Sequence, residues 1–202
     1  MSADLQQLYR RVRYGKPIVV VSGLPRSGTS MAMKMLEAGG LPVVTDGLRA
    51  ADEDNPKGYY EDERVKDLHQ AADKAWLRDA RGKVVKIISF LLKSLPAENN
   101  YQVLFMHRNL REIVASQNKM LVRRGETNET PDERALQLLD EQVRDARFFL
   151  RRQHFEVLEL NYGEMLLGAR PQAERMAEFL GQSLDVERMA QVVDVQLYRN
   201  RS

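Results

Sequence analysis

Between Ser22 and Ser30 the chain reads SGLPRSGTS, directly after the apolar run PIVVV. Two glycines, four small hydroxyls and one arginine are the residue types that hold an anion. Glycines let successive backbone N–H groups turn toward one point, and a helix starting at Thr29 adds the amides and partial positive charge of its N-terminus. The spacing G-x-x-x-x-G-T-S is that of a phosphate-binding loop except at one position. There Thr29 stands in place of the lysine that reaches the β- and γ-phosphates of a nucleoside triphosphate. Thr29 is short and neutral. Arg26, inside the loop, offers a planar cation with several donors instead. Arg26, Ser27, Gly28, Thr29 and Ser30 are therefore the expected anion-binding residues. A bare strand–helix turn needs neither the paired hydroxyls nor the second glycine.

A second candidate lies in LFMHRNLREIVASQ. A strand ending at His107 puts Arg108 at its carboxyl end, the edge at which open parallel sheets bind ligands. Ser116 follows eight residues later, about two helical turns on, so Arg108 and Ser116 fall to one side. The segment from Thr45 to Glu63 carries the acids. Asp46 and Glu61 are carboxylates that can accept a proton. Asn55-Pro56 and Lys57-Gly58 are turn formers, and Tyr59-Tyr60 would present aromatic surface, either as a wall for an acceptor or as an anchor for the following helix. His69, His107 and His154 are scattered and make no metal motif.

These residues need elements to carry them. A strand is expected over Pro17 to Ser22, a helix from Thr29 to about Ala38 that stops at Gly39-Gly40, and a short strand at LPVV. Glu61 to Arg78 reads as a helix with Leu68, Ala71, Ala72, Ala75 and Trp76 on its inner face. KVVKIIS, YQVLFMH and FEVLELN read as strands. Helices are expected from Asn109 to about Arg123 and from Pro131 to about Arg152. Tyr162 to Val195 reads as helices separated near Arg170-Pro171 and Gly181-Gln182. Strands alternating with amphipathic helices predict an α/β fold of three layers, a central, mostly parallel sheet with helices on both faces. The 202 residues are expected to form one domain, 1–202.

Composition narrows the function further. Thirty-one basic and 29 acidic residues nearly balance, so the whole chain makes no electrostatic case for nucleic acid or a membrane as partner. Any anion site has to arise from local arrangement. Cysteine is absent, which excludes disulfides and thiolate chemistry and is compatible with the cytoplasmic location expected here. The segment before Pro17 is charged and has the pattern of an amphipathic helix.

PRSGTS followed by MAMKML resembles the 5′-phosphosulfate loop of the sulfotransferases that use 3′-phosphoadenosine 5′-phosphosulfate (PAPS). The arginine-bearing version is most similar to that of the tyrosylprotein sulfotransferases. The resemblance implies PAPS as donor with no metal, Arg108 and Ser116 on its 3′-phosphate, and Lys86 beside the leaving phosphate. VLELNYGEMLLGARPQAERMAEFLG is similar to a later segment of the family, so most of Ile18 to Gly181 can be laid along it. Two features depart. Ile88 falls where the cytosolic enzymes carry their histidine base, and the tail VQLYRNRS lacks their glycine-rich cofactor segment. By the same resemblance, Asp46 and Gly47 lie on an acidic pair and Arg49 on its arginine. The acid that acts in the family falls on Gly47, so Asp46, one residue earlier and a carbon shorter, is the candidate base. Asp52, Glu53, Asp54 and Glu61 are other acids of the same region. Arg49, Tyr59 and Glu61 are expected toward a small-molecule, peptide or sugar acceptor whose group is a hydroxyl or amine. Two other readings stay open: an ATP-dependent kinase or nucleotidase of the same loop type, and a nucleotide-binding module without chemistry. Oligomeric state is open as well.

Overall fold

The run Ile18–Gly23 is buried along its whole length, as a strand must be when both faces of its sheet are covered. The computed structural model describes residues 3–48, 60–153 and 155–194. In chain order its elements are α1 (Ala3–Tyr14), β1 (Ile18–Gly23), α2 (Thr29–Ala38), α3 (Glu63–Lys66), β2 (Val84–Lys86), β3 (Tyr101–His107), α4 (Leu110–Arg123), α5 (Asp132–Arg152), β4 (Glu156–Asn161), α6 (Tyr162–Leu167), α7 (Ala169–Leu180) and α8 (Val186–Gln191). Short 3₁₀ turns occupy Asp67–His69, Ala75–Ala80 and Ser89–Ser94.

The four strands pair in the order β2-β1-β3-β4 and every pair is parallel. Alternate residues of β1 serve different layers. Val19 and Val21 pack with α2, α6, α7 and α8 around Met33, Leu36 and Met176. Ile18 and Val20 pack on the other face with the 3₁₀ turns and with Ala146 and Leu150 of α5. The expected α/β architecture is thus the one found. From β1 the chain moves to β2 on one side, then crosses to β3 on the other, so strand order reverses between β1 and β3. Ligand crevices of open α/β sheets form at such a point, outside the carboxyl ends of the strands.

Three local expectations change. Glu61 to Arg78 is not one helix. Asp62 accepts the Arg64 amide to start α3, and Asp73 Oδ1 accepts the Ala75 amide at 2.8 Å. These two acids offer the backbone competing local bonds and break the helix into turns. LPVV contributes one bridge, Val43 to Val84, because Pro42 has no N–H to donate. The break expected near Arg170-Pro171 falls at Gly168. Pro171 lies in the first turn of α7, where the missing amide costs nothing.

Candidate functional site

Gly23 ends β1 opposite Met106 of β3. A β-carbon at Gly23 would lie 2.6 Å from both the Met106 carbonyl oxygen and Ser27 Oγ, so only glycine lets the loop fold back onto the sheet. Arg26 follows with φ 70°, a left-handed conformation that costs a non-glycine residue about 1–3 kcal/mol and often marks a functional turn. Gly28, φ 101°, then caps α2. The first turn of α2 points its amides at the loop mouth, where a helix N-terminus attracts negative charge. Thr29 is buried and Ser30 half-buried beside it. Ser27 Oγ is buried with no hydrogen-bond partner among the described residues, an orphan donor of the kind that a bound anion satisfies.

Arg108, one residue past β3, reaches beneath this loop. Its Nη1 donates to the Arg26 carbonyl at 3.1 Å and its Nε to Glu112 Oε2 at 2.9 Å. The pair is almost wholly buried, with side-chain exposures of 8% and 6%. The guanidinium also stacks on the Tyr162 ring at 4.4 Å. Ser116, one face of α4 further on, accepts from Arg26 Nε at 3.0 Å. The two regions picked out separately in the sequence therefore form one network. Arg108 supports the backbone of Arg26, and Ser116 orients its side chain.

Lys86 closes β2 opposite Val21, at the same edge of the sheet. Its ammonium donates to Glu61 Oε1 at 3.3 Å, with side-chain exposures of 7% for Lys86 and 21% for Glu61. The backbone of Glu61 is held too. Its carbonyl accepts from Thr45 Oγ1 at 2.9 Å and from the Asp46 amide at 3.2 Å. Next to it, Tyr60 Oη donates to Glu37 Oε2 at 2.6 Å, and burial first, then Glu37, pushes its phenol well above the ordinary range. Arg49, Asp52, Glu53, Asp54 and Tyr59 lie outside the described residues.

Asp46 has a different setting. Its Oδ1 accepts the Leu48 amide at 3.0 Å and its Oδ2 the Glu63 amide at 2.7 Å, so both oxygens tie a turn to the start of α3. These two amides, Leu48 first, hold the carboxyl below its ordinary value of 3.8. A lowered folded-state pKa stabilises the folded state above the unfolded pKa and loses that contribution as pH falls through the folded value. The pH-dependent shift of the Leu48 and Glu63 amide resonances should therefore have its midpoint below 3.8. An NMR titration with a midpoint at or above that value would contradict this arrangement.

His107 turns away from the loop. It packs on Phe105 at 4.9 Å between ring centroids and lies 3.2 Å from Glu159. Burial, then Arg147, holds its imidazole below the ordinary range, so it is neutral at pH 7.

Sequence reasoning passed over two residues of the network. Glu112 stands four residues after Arg108, the spacing of a helical ion pair, and that signal was available. Tyr162 opens α6 at the carboxyl end of β4, and only the fold brings it against Gly28. A β-carbon at Gly28 would sit 2.5 Å from Tyr162 Cδ2. Gly28→Ala adds that clash to an unfavourable φ and is expected to lose about 1–3 kcal/mol in urea denaturation. Measured in a Tyr162→Ala background, where the clash is absent but the backbone strain remains, the cost of Gly28→Ala should be smaller.

No family model and no curated protein matches the sequence. Solved structures do match in three dimensions. The sulfotransferase domain from the Synechococcus PCC 7002 olefin synthase superposes with TM-score 0.53 and 14% identity, over 94% of this chain and 85% of that one. The sulfotransferase domain from the curacin biosynthetic pathway superposes with TM-score 0.53 and 16% identity, over 89% and 78%. At such identity the likeness is one of architecture, and the chain has the sulfotransferase fold.

Proposed function

We propose that the protein transfers a sulfuryl group from PAPS to a hydroxyl or amine of a small-molecule, peptide or sugar acceptor. The observation that carries this reading is the bond from Arg26 to Ser116 together with the bond from Arg108 to the Arg26 carbonyl. It couples the phosphate-type loop to a second cationic position at the β1–β3 crevice. A donor with anionic groups at both the 3′ and 5′ positions of its ribose calls for that pairing.

When bound, PAPS supplies an activated sulfuryl group and departs as 3′-phosphoadenosine 5′-phosphate. In this proposal Arg26, the amides at the start of α2, and the hydroxyls of Ser27, Thr29 and Ser30 hold the 5′ side. Arg108 and Ser116 hold the 3′-phosphate. Preorganised donors of this type stabilise charge that develops on a leaving phosphate, and Lys86 adds a cation there. Glu61 takes the acceptor proton, the role first expected of Asp46, because its carboxylate is turned to the sheet edge by Lys86 while Asp46 is occupied in its turn. No metal is invoked.

Calorimetric titration with 3′-phosphoadenosine 5′-phosphate, with Mg²⁺·ATP as comparator, tests the donor. Micromolar binding of the first without metal, weakened in Arg108→Ala, is the expected result; preference for Mg²⁺·ATP overturns the reading. Transfer from labelled PAPS to a panel of phenols, sugars and peptides tests the chemistry. Tight binding without transfer to any of them would leave a nucleotide-binding module.

A further inference from the structure

Helix α1 is mounted with its apolar side outward. Leu5, Leu8, Tyr9 and Val12 recur at i, i+3, i+4 and i+7, one stripe of a helix, and are 56%, 60%, 57% and 80% exposed. The opposite side faces the protein through polar bonds. Arg10 donates to the Asn99 carbonyl at 2.8 Å and to Asn100 Oδ1 at 3.2 Å, and its guanidinium lies over the rings of Tyr14 and Phe155 at 5.5 and 5.7 Å. These contacts, just before β3 and β4, fix the rotation of α1 about its axis. The stripe is thus held toward solvent.

Charge is segregated around it. Arg11 and Arg13 are exposed on α1, and Lys16 is exposed just after it. Arg11 and Lys16 line a cleft of about 480 Å³ with Pro17, Gly82, Gly181 and Gln182, and Lys83, next to Gly82 in the chain, is exposed. The near balance of charge over the whole chain hides this local excess of cations.

We propose that α1 and the cleft that its Arg11 lines with Lys16 dock on an anionic phospholipid bilayer, the stripe entering the headgroup–acyl boundary and the cleft receiving a phosphate headgroup. An apolar stripe edged by arginines is the pattern of a helix that lies in a membrane interface. Among the described residues no helix is long and apolar enough to cross a membrane, so the contact is peripheral. Four side chains on one helix are few beside the roughly twenty residues per side of a stable protein interface, whereas a bilayer needs no matching groove. Docking by α1 uses the amino edge of the sheet. The candidate site opens at the carboxyl edge, about 20 Å away along six-residue strands, and stays clear of the surface. The inference is independent of the sulfotransferase reading.

Flotation of the full chain with vesicles tests it. The protein should rise with vesicles of phosphatidylcholine mixed with phosphatidylglycerol and not with phosphatidylcholine alone. The bound fraction should fall at least about tenfold for Arg11→Glu with Arg13→Glu, and likewise for Leu8→Ser with Val12→Ser, while circular dichroism stays that of the parent. Absence of flotation, or flotation indifferent to the Leu8 and Val12 pair, overturns the proposal. So does light scattering that finds a dimer converted to monomer by that pair, since a second copy would then cover the face.

Discussion

Replacing Arg26 with alanine is expected to lower kcat/KM for sulfuryl transfer by about 100- to 1000-fold, the loss that follows when one preorganised donor to developing charge is removed. The position explains the size. Arg26 adopts φ 70°, a backbone conformation that favours glycine over any side chain. Glycine would occupy the same backbone without strain. Arg26→Gly should therefore unfold at higher urea than Arg26→Ala while being as inactive, a separation of stability from activity that a structural arginine would not produce. Ser116→Ala gives the graded comparison. It removes the acceptor at 3.0 Å from Arg26 Nε but leaves the cation, so a loss nearer tenfold is expected, about the worth of one hydrogen bond to a charged group. Ser116 orients Arg26 and, in the proposal, also holds the 3′-phosphate, so the double variant should fall below Arg26→Ala alone, but by less than the full Ser116→Ala loss. An Arg26→Ala enzyme as active as the parent would end the proposed role of the loop.

That network was partly readable in the chain and partly not, for a physical reason. The loop, Arg108 and Ser116 sit where a strand meets a helix, so their placement follows from local periodicity and from the rule that parallel sheets bind ligands at the carboxyl edge. What local pattern leaves open is which atoms meet. Whether Arg108 faces a ligand alone or first supports the loop depends on the register of β1 with β3, which pairs Gly23 with Met106. The contact of Tyr162 with Gly28 depends on β4 joining the sheet beside β3. The mistaken helix over Glu61 to Arg78 has the opposite origin. Apolar spacing alone favours a helix there, whereas Asp62 and Asp73 each accept a nearby backbone amide and pull the segment into turns. The same acid-to-amide bonding decides the fate of Asp46, whose partners at 48 and 63 are in place only once the two sides of that segment come together.

The choice between Asp46 and Glu61 gives the second large effect. Glu61→Gln should lower kcat by about 100- to 10,000-fold, the range of a positioned general base, whereas Asp46→Asn should cost far less. Glutamine keeps an oxygen for Lys86 Nζ, now 3.3 Å from Glu61 Oε1, and leaves the backbone bonds of residue 61 to Thr45 and Asp46 intact, so the site should hold its shape. What it cannot do is accept a proton. That difference can be read without relying on the size of the loss alone. Across a series of substituted phenols, more acidic acceptors need less help in losing their proton, so the deficit of Glu61→Gln should shrink as acceptor acidity rises. A residue that only positions the loop would lower transfer to every phenol by the same factor. Lys86→Ala removes both the partner of Glu61 and a cation near the leaving phosphate, and its deficit should persist across the series. A uniform deficit for Glu61→Gln, or an Asp46→Asn enzyme that falls as far and recovers with acidic phenols, would return the proton to Asp46. In that event the two amides on Asp46 would have to give way when acceptor binds, and the Leu48 and Glu63 resonances would move on its addition.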